Sequence, residues 1–277
     1  MRPARRLFNA AFVGFAWAAT ALALLALGAI LWSLIGQGFA GLDAHVFTRS
    51  TPAPGSDGGL LNAILGSALM CALAMAGAVV VGVLSGTWLS EFAAGSRYGK
   101  LVRFLNDVLL AAPSILIGLF VYEILVAPMK GFSGYAGAAA LGLIAAPVIT
   151  RTTEELLAVQ PTSLREASVA LGAPVWRTVL KVLWRAAGAG MLTGVLLAFA
   201  RISGETAPLL FTALNNQFLS LDLSQPTASL PVVIFQFGLS AYDDWRGLAW
   251  AGALLIASAV LAVTLLARLL AREPRRS

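Results

Sequence analysis

Long apolar segments alternate with polar stretches along the 277-residue chain. A helix of about 20 apolar residues crosses the hydrocarbon core of a bilayer. Six segments approach or exceed that length, so we predict an all-α polytopic membrane protein. The predicted transmembrane helices lie near Ala10–Ile35, Leu60–Leu89, Leu105–Ala127, Phe132–Thr150, Ala186–Phe211 and Gly247–Leu270.

Two connecting segments are predicted to lie outside the membrane core. Residues 37–59 contain the turn cluster TPAPGSDGG, which is typical of a loop. Residues 212–246 contain an apolar run, PVVIFQFGL, that is too short to cross a bilayer. We therefore expect this second segment to be external or re-entrant.

The fourth apolar segment carries a small residue at every fourth position. A stripe of this kind lets another helix approach closely. Both a subunit interface and packing within the chain are compatible with it. The stripe consists of Gly134, Ala138, Gly142 and Ala146.

Residues 151–185 form the longest polar-rich run between two apolar segments. Ser163 and Glu166 have the spacing of a capping box, which predicts a helix that begins there. Gly172 is expected to end this helix in a left-handed conformation, and Pro174 suits the first turn of a second short helix. The second helix has an apolar stripe of Trp176, Val179, Leu180 and Leu183 and a basic face of Arg177, Lys181 and Arg185. Two short exposed helices with a sharp bend between them are expected to contact another protein.

Composition and charge place the chain in a membrane and predict its orientation. The chain is 59% hydrophobic and 12% charged, and its mean hydropathy of +0.84 lies outside the range of soluble proteins. Of its nineteen Lys and Arg residues, fifteen fall on one side of the six-helix topology and three on the other. This asymmetry predicts that both termini are cytoplasmic, and it explains the net charge of +6 without nucleic-acid binding.

Several kinds of site are not predicted. The single cysteine, Cys71, permits no intramolecular disulfide, and the single histidine, His45, gives no basis for a metal site. The run GSRYGK lacks the spacing of a phosphate-binding loop, because only three residues separate Gly95 from Gly99 and Leu101 follows the lysine. We therefore expect no nucleotide, cofactor or catalytic site in this chain.

The fifth apolar segment contains two charged residues. Arg201 and Glu205 are four residues apart, so they would share one face of a continuous helix. Arg201 lies roughly 22 Å from the start of the segment, where a charge costs at least about 2.5 kcal/mol unless it meets a partner or water. Glu205 is the first candidate partner and Glu123, at a similar depth, is the second. Arg201 is expected either to hold the helix bundle together through an ion pair or to offer its donors to a passing oxyanion.

Part of the polar run resembles the EAA loop of ABC importer permeases, whose consensus is E-A-A, three residues, G, nine residues and I-x-L-P. Residues 166–168 are Glu-Ala-Ser, and Gly172 follows after three residues. Val182 occupies the isoleucine position, whereas Trp184 and Arg185 replace Leu-Pro. The resemblance implies a coupling helix that docks on a cytoplasmic ATPase. Its implied coupling residues are Ser163, Glu166, Ala167, Ser168 and Gly172.

A longer resemblance covers roughly residues 58–270. The runs SDGGLLNAILGS, APSILIGLFVYEI, PVITRTTEELL, ARISGETAPLLFTALNNQF and QPTASLPVVIFQFGLS are similar to the PstA-type permeases of phosphate-specific ABC importers. This resemblance implies the type I ABC importer permease fold and the import of inorganic phosphate across the bacterial inner membrane. The implied substrate-pathway residues are Arg201, Glu205, Thr206 and Glu123.

The same resemblance implies an organisation and a set of partners. The expected partners are a PstC-like second permease, a dimeric cytoplasmic ATPase subunit that binds ATP and Mg, a periplasmic phosphate-binding protein and membrane lipid. The expected parts of the chain are a cytoplasmic N-terminus (1–9), a first transmembrane helix with a periplasmic loop (10–59), a permease core (60–270) that contains the coupling loop (151–185), and a cytoplasmic tail (271–277).

Other functions remain open from the residues alone. A permease for another oxyanion, such as sulfate or molybdate, is the nearest alternative. A secondary transporter more often has inverted halves with helices broken at the midplane and no docking loop. A membrane-embedded enzyme would be expected to cluster His, Asp or Ser side chains near one interface, and an assembly factor is a further alternative.

Overall fold

The computed structural model describes residues 3–271, with side chains for residues 8–269. This part of the chain forms thirteen α-helices, two π-helical segments and no strand, which confirms the predicted all-α fold. The α-helices are α1 (Pro3–Ala40), α2 (His45–Thr48), α3 (Leu61–Glu91), α4 (Arg97–Ala111), α5 (Ser114–Val121), α6 (Ala127–Met129), α7 (Gly134–Ala158), α8 (Thr162–Ala170), α9 (Val175–Arg177), α10 (Trp184–Ile202), α11 (Ala207–Leu210), α12 (Leu230–Gly238) and α13 (Asp243–Ala271). The π-helical segments are π1 (Tyr122–Val126) and π2 (Thr178–Leu183).

Five helices are long and apolar enough to cross a membrane, and a bent pair gives the sixth crossing if its two arms count as one span. The bent pair covers the span predicted near Leu105–Ala127 and adds a sharp bend that the prediction did not include. Its arms, Arg97–Ala111 and Ser114–Met129, meet at 107°. Pro113 supplies no N–H to a helical ladder, and Ala112 before it is extended. The chain therefore turns between the two arms.

Helices α3 and α7 form the centre of the bundle and run parallel to each other. A Cβ at Gly82 would lie 2.7 Å from Cβ of Ile149, and one at Gly86 would lie 2.7 Å from Cβ of Thr153. Because glycine has no Cβ, the two backbones can approach this closely. The buried core around them includes Met70, Ala74, Ala78, Leu141, Ala145 and Ile149.

The stripe of small residues on α7 is used partly for packing within the chain. A Cβ at Gly134 would lie 2.6 Å from the Leu223 side chain, and Ala138 is buried in the core beside α3. Gly142 and Ala146 instead line an open apolar groove of about 490 Å³. A subunit interface at this groove stays a prediction.

The fifth span differs from its predicted bounds at both ends. One helix runs through α9, π2 and α10 from Val175 to Ile202, a length of 28 residues. The predicted second short helix of the polar run is therefore the inner end of this span. The helix ends nine residues before the predicted Phe211, because Gly204 and Pro208 both disfavour its continuation.

The segment after α11 does not cross the membrane, as predicted. Its apolar run forms α12, which has nine residues and a length of roughly 14 Å. The Ser67 hydroxyl of α3 accepts a hydrogen bond from the Leu230 amide at 2.8 Å. The Asn62 side chain, also on α3, donates to the Asn216 carbonyl at 2.7 Å. Helix α3 therefore holds the start of this segment and the N-terminal end of α12.

Helix α1 packs against α13 near its C-terminal end, where a Cβ at Gly38 would lie 2.7 Å from Leu254. Most of its side chains from Phe8 onward are exposed. The side chains of Arg5 and Arg6, residue Arg2 and residues 272–277 of the predicted cytoplasmic tail lie outside the described part of the chain.

Candidate functional site: a coupling segment and a membrane arginine

The candidate coupling helix α8 begins at Thr162, one residue before the predicted start. Pro161 occupies the N-cap position, and no side chain caps the helix. The predicted capping box between Ser163 and Glu166 is therefore wrong. Proline already holds φ near −65° at the point where the chain enters the helix, so Ser163 falls inside the first turn. Ser163 and Glu166 are both exposed.

The C-terminal end of α8 has the geometry that the sequence predicts. Gly172 has φ +77°, in the left-handed region. The Gly172 amide donates to the Val169 carbonyl at 2.8 Å, and the Ala173 amide donates to the Ser168 carbonyl at 3.1 Å. These two hydrogen bonds form a Schellman motif, which ends a helix in a tight turn.

Arg165 fastens α8 to the ends of two membrane helices. Its guanidinium donates to both carboxylate oxygens of Glu91, the last residue of α3, at 2.7 and 2.9 Å. It also donates to the carbonyls of Leu157 and Gln160 at the end of α7, at 2.9 Å each. The Glu91 side chain is only 8% exposed, and its hydrogen bonds raise the pKa of Arg165. Arg165 therefore remains charged, and motion of α8 must strain this four-bond contact.

One face of α8 is buried and the other is free to dock. The Ser168 hydroxyl lies 2.8 Å from the Thr178 hydroxyl of π2, and both side chains are buried. Glu166, Ala167 and Leu171 are exposed, and Leu171 is 89% exposed. The exposed face of α8 is therefore the part of the coupling segment that another protein could reach.

The sequence departs from the EAA consensus where π2 meets α10. The helix continues here without a break, because Arg185 stands where the consensus has a helix-breaking proline. The Trp184 indole donates to the Thr87 hydroxyl of α3 at 3.0 Å. The predicted apolar stripe of the second helix is divided: Val179 and Leu183 are buried, whereas Trp176 and Leu180 are exposed.

Arg201 lies in the last turn of α10, near the middle of the bundle. A Cβ at Gly190 would lie 3.0 Å from Leu156, and one at Gly194 would lie 3.0 Å from Cβ of Thr152. These contacts set an antiparallel register between α10 and α7. Continuing that register places Arg201 level with Ala145, which is near the centre of α7.

The predicted ion pair between Arg201 and Glu205 is not formed. Helix α10 ends at Ile202, so Glu205 lies in the following turn and does not share a helical face with Arg201. Within residues 8–269, no hydrogen bond or salt bridge joins Arg201 to Glu205 or Glu123. The Arg201 side chain is exposed on the surface of the isolated chain.

The other candidate pathway residues lie on elements that pack together. A Cβ at Gly118 of α5 would lie 2.6 Å from Cα of Pro208, which places α5 against α11. Glu123, in π1 just after α5, is exposed, and Glu205 and Thr206, just before α11, are partly buried. The arrangement offers an unpaired guanidinium at mid-depth, with carboxylates on neighbouring elements. A planar fork of donors suits a tetrahedral oxyanion.

Comparisons with known proteins identify the family and the fold. A family model described as "Binding-protein-dependent transport system inner membrane component" matches residues 78–276. In structure, the chain is similar to an inward-facing conformation of the MetNI methionine ABC transporter. The TM-score is 0.66 at 20% identity, and the alignment covers 77% of this chain and 94% of that one.

Curated relatives are similar over nearly their whole length. The phosphate transport system permease protein PstA of Haemophilus influenzae is 49% identical over 96% of this chain and 94% of its own. The PstA proteins of Pasteurella multocida and of Xylella fastidiosa strain Temecula1 are 50% and 51% identical, each over 96% of this chain and over 95% and 93% of their own.

The helical bundle with its bent loop on the membrane surface defines a class of protein, the membrane-spanning permeases of binding-protein-dependent importers. The chain belongs to this family. Within the family it is a PstA-type permease.

Proposed function

We propose that this chain is a permease subunit of an ATP-driven importer of inorganic phosphate and that it forms the translocation pathway together with a second, PstC-like permease. The observation that carries the proposal is Arg201, an unpaired cation level with the middle of the bundle. It lies three residues before the run GETAPLLFTA, within a chain about half identical to proteins named as phosphate permeases.

An unpaired arginine at this depth is costly in lipid, so it must face water, an anion or another subunit. Its exposure on the isolated chain fits a surface that lines a pathway between two permeases. Phosphate would meet two to three donors of the guanidinium at once. Glu123, Glu205 and Thr206 would lie along the same path.

The exposed face of α8 would dock on a dimeric cytoplasmic ATPase. That ATPase, rather than this chain, would bind ATP and Mg. A periplasmic binding protein would deliver phosphate from the opposite side. This arrangement assigns the chain to the inner membrane with cytoplasmic termini, and it assigns ATP hydrolysis to the partner subunit.

Uptake in cells tests the substrate. A strain without this chain should regain uptake of labelled phosphate when the chain is restored, and should not gain uptake of labelled sulfate or molybdate. Unlabelled sulfate should not compete. Restored sulfate or molybdate uptake, with phosphate uptake unchanged, would contradict the proposal.

A further inference from the structure

The inner end of the fifth span carries two adjacent stripes of side chains. One is apolar, with Trp176 and Leu180 exposed and Trp184 partly buried. Each member of the second stripe follows a member of the first directly in sequence, so the stripes run side by side along the helix. We call the second the basic stripe; it consists of Arg177, Lys181 and Arg185, all exposed.

The apolar stripe forms one wall of a groove of about 240 Å³. The last turns of α3 form the other wall with Leu84, Trp88 and Phe92. Trp88 and Phe92 are exposed, and the hydrogen bond from Trp184 to Thr87 joins the two walls. The groove is therefore narrow, aromatic and open on the outer surface of the chain.

Like Arg97 and Lys100, the three members of the basic stripe have no salt-bridge partner within residues 8–269, whereas other basic side chains are paired. On the same side of the bundle, Arg103 pairs with Glu154, Arg151 with Glu155 and Arg165 with Glu91. The Arg177 guanidinium lies 5.2 Å from the ring centre of Trp176 and therefore beside the groove.

The basic stripe lies in the first turns of the fifth candidate span, which runs from Val175 to Ile202. The register between α7 and α10 places Arg185 level with Pro161, just beyond the end of α7. Lys181 and Arg177 follow toward the coupling segment. Aromatic side chains favour the boundary between hydrocarbon and headgroups, and basic side chains just beyond a membrane helix attract anionic headgroups.

We propose that an anionic phospholipid binds here, with an acyl chain in the aromatic groove and its phosphate on the basic stripe. The groove favours a lipid over an acidic protein, because a purely charged partner would leave its aromatic walls exposed. The proposal does not depend on which anion the permease transports.

Native mass spectrometry of the purified complex tests this site. The complex would be reconstituted in nanodiscs of phosphatidylcholine alone or with added phosphatidylglycerol, and retained lipids would be counted after release. The site variant is Arg177→Gln/Lys181→Gln/Arg185→Gln. The matched control is Arg97→Gln/Lys100→Gln/Arg268→Gln, which removes the same charge from three exposed positions that do not line the groove. A second variant, Leu84→Trp, narrows the groove and keeps every charge.

The wild-type complex and the control should retain phosphatidylglycerol in preference to phosphatidylcholine. The site variant should bind it about a hundredfold more weakly, since each of the three basic side chains contributes about a factor of five. Leu84→Trp should also weaken retention. Equal retention in all four proteins would overturn the proposal. Normal retention in the site variant with loss of the ATPase subunit would overturn it too, and would assign the stripe to a protein contact.

Discussion

The Arg201 side chain is exposed at a level halfway along α7 and has no salt-bridge partner within residues 8–269. Two roles remain distinguishable: contact with the transported anion, or a structural pair with Glu205 that forms in the assembled complex. In the first role, neutralising Glu205 as well cannot restore the activity that is lost when Arg201 is replaced. In the second, removing both charges leaves nothing unpaired.

We expect Arg201→Gln to lower uptake of labelled phosphate at least tenfold at matched membrane levels. Arg201→Lys should keep part of the activity, because lysine retains the charge and loses the planar fork. Arg201→Gln/Glu205→Gln should remain as inactive as the single variant. Lys130→Gln, which removes an exposed charge from the turn after α6, is the control. Full rescue by the double variant would make Arg201 a structural residue.

Arg165 offers a separate test of coupling. Its contact with Glu91 is largely enclosed, whereas the Arg151–Glu155 pair on the same side is exposed on both partners. We expect Arg165→Glu to reduce the ATPase activity stimulated by loaded binding protein about tenfold, and Arg165→Glu/Glu91→Arg to restore part of it. Arg151→Ala should have little effect, since exposed pairs of this spacing contribute about 0.3–0.5 kcal/mol. Equal stimulated ATPase activity in the Arg165 and Arg151 variants would show that Arg165 does not transmit motion of α8 to the membrane helices.

The sequence predicts some of these residues and misses others for a physical reason. Gly172 is predicted because positive φ is a local property that glycine signals directly. Arg165 is missed because its partner Glu91 lies 74 positions away, and no local pattern reports such a contact. The Arg201–Glu205 pair is wrong because four-residue spacing implies a shared face only inside an unbroken helix.

Among the helices, α8 depends on the turn at its end. Its N-terminus has no side-chain cap, so the Schellman motif at Gly172 and the Arg165 contacts hold it in place. Glu166 forms no cap, and its exposed carboxylate is available for docking.

Two substitutions at Gly172 test whether coupling requires the left-handed turn or the glycine itself. Gly172→Val should lower coupled ATPase activity and phosphate uptake, because a β-branched residue resists φ +77° at a cost of about 1–2 kcal/mol. Gly172→Asn should keep most of both activities, since asparagine tolerates the left-handed region. Both variants should insert and assemble normally. Equal behaviour of valine and asparagine would contradict the role of the turn.

Helix bounds follow from the sequence only where a strong local signal exists. Hydropathy places the ends of α3 and α13 to within about four residues, because each is one continuous apolar helix. It ends the fourth span at Thr150, whereas α7 continues through a polar stretch to Ala158. It joins α4 to α5 because a window of apolar residues does not register the bend at Pro113. It starts the fifth span at Ala186 because the polar residues of π2 hide a helix that is continuous from Val175.

The charge asymmetry makes the orientation of the entire chain testable. In a Cys71→Ser background, cysteines at Ser56 and Ser224, both exposed, should react with an impermeant thiol reagent added to intact cells. A cysteine at Ala170, exposed on α8, should react only after the membrane is opened. Ser168 is unsuitable because its side chain is buried against Thr178. Labelling of position 170 in intact cells would reject cytoplasmic coupling.

The all-α class and the long apolar helices are predicted well, because hydrophobicity is read directly from the sequence, whereas the orientation stays a prediction. The substrate is not predicted by these quantities. It rests on one unpaired arginine and on similarity to relatives, since a guanidinium accepts phosphate, sulfate and molybdate by the same geometry.

Uptake by the purified complex tests the central claim most directly. Proteoliposomes would contain both permeases and the ATPase, with ATP and Mg trapped inside and phosphate-loaded binding protein outside. Labelled phosphate should accumulate only with internal ATP, and the Arg201→Gln complex should accumulate none while retaining all its subunits. Accumulation without ATP, or equal accumulation by the Arg201→Gln complex, would contradict the assignment of this chain as the phosphate pathway of an ATP-driven importer.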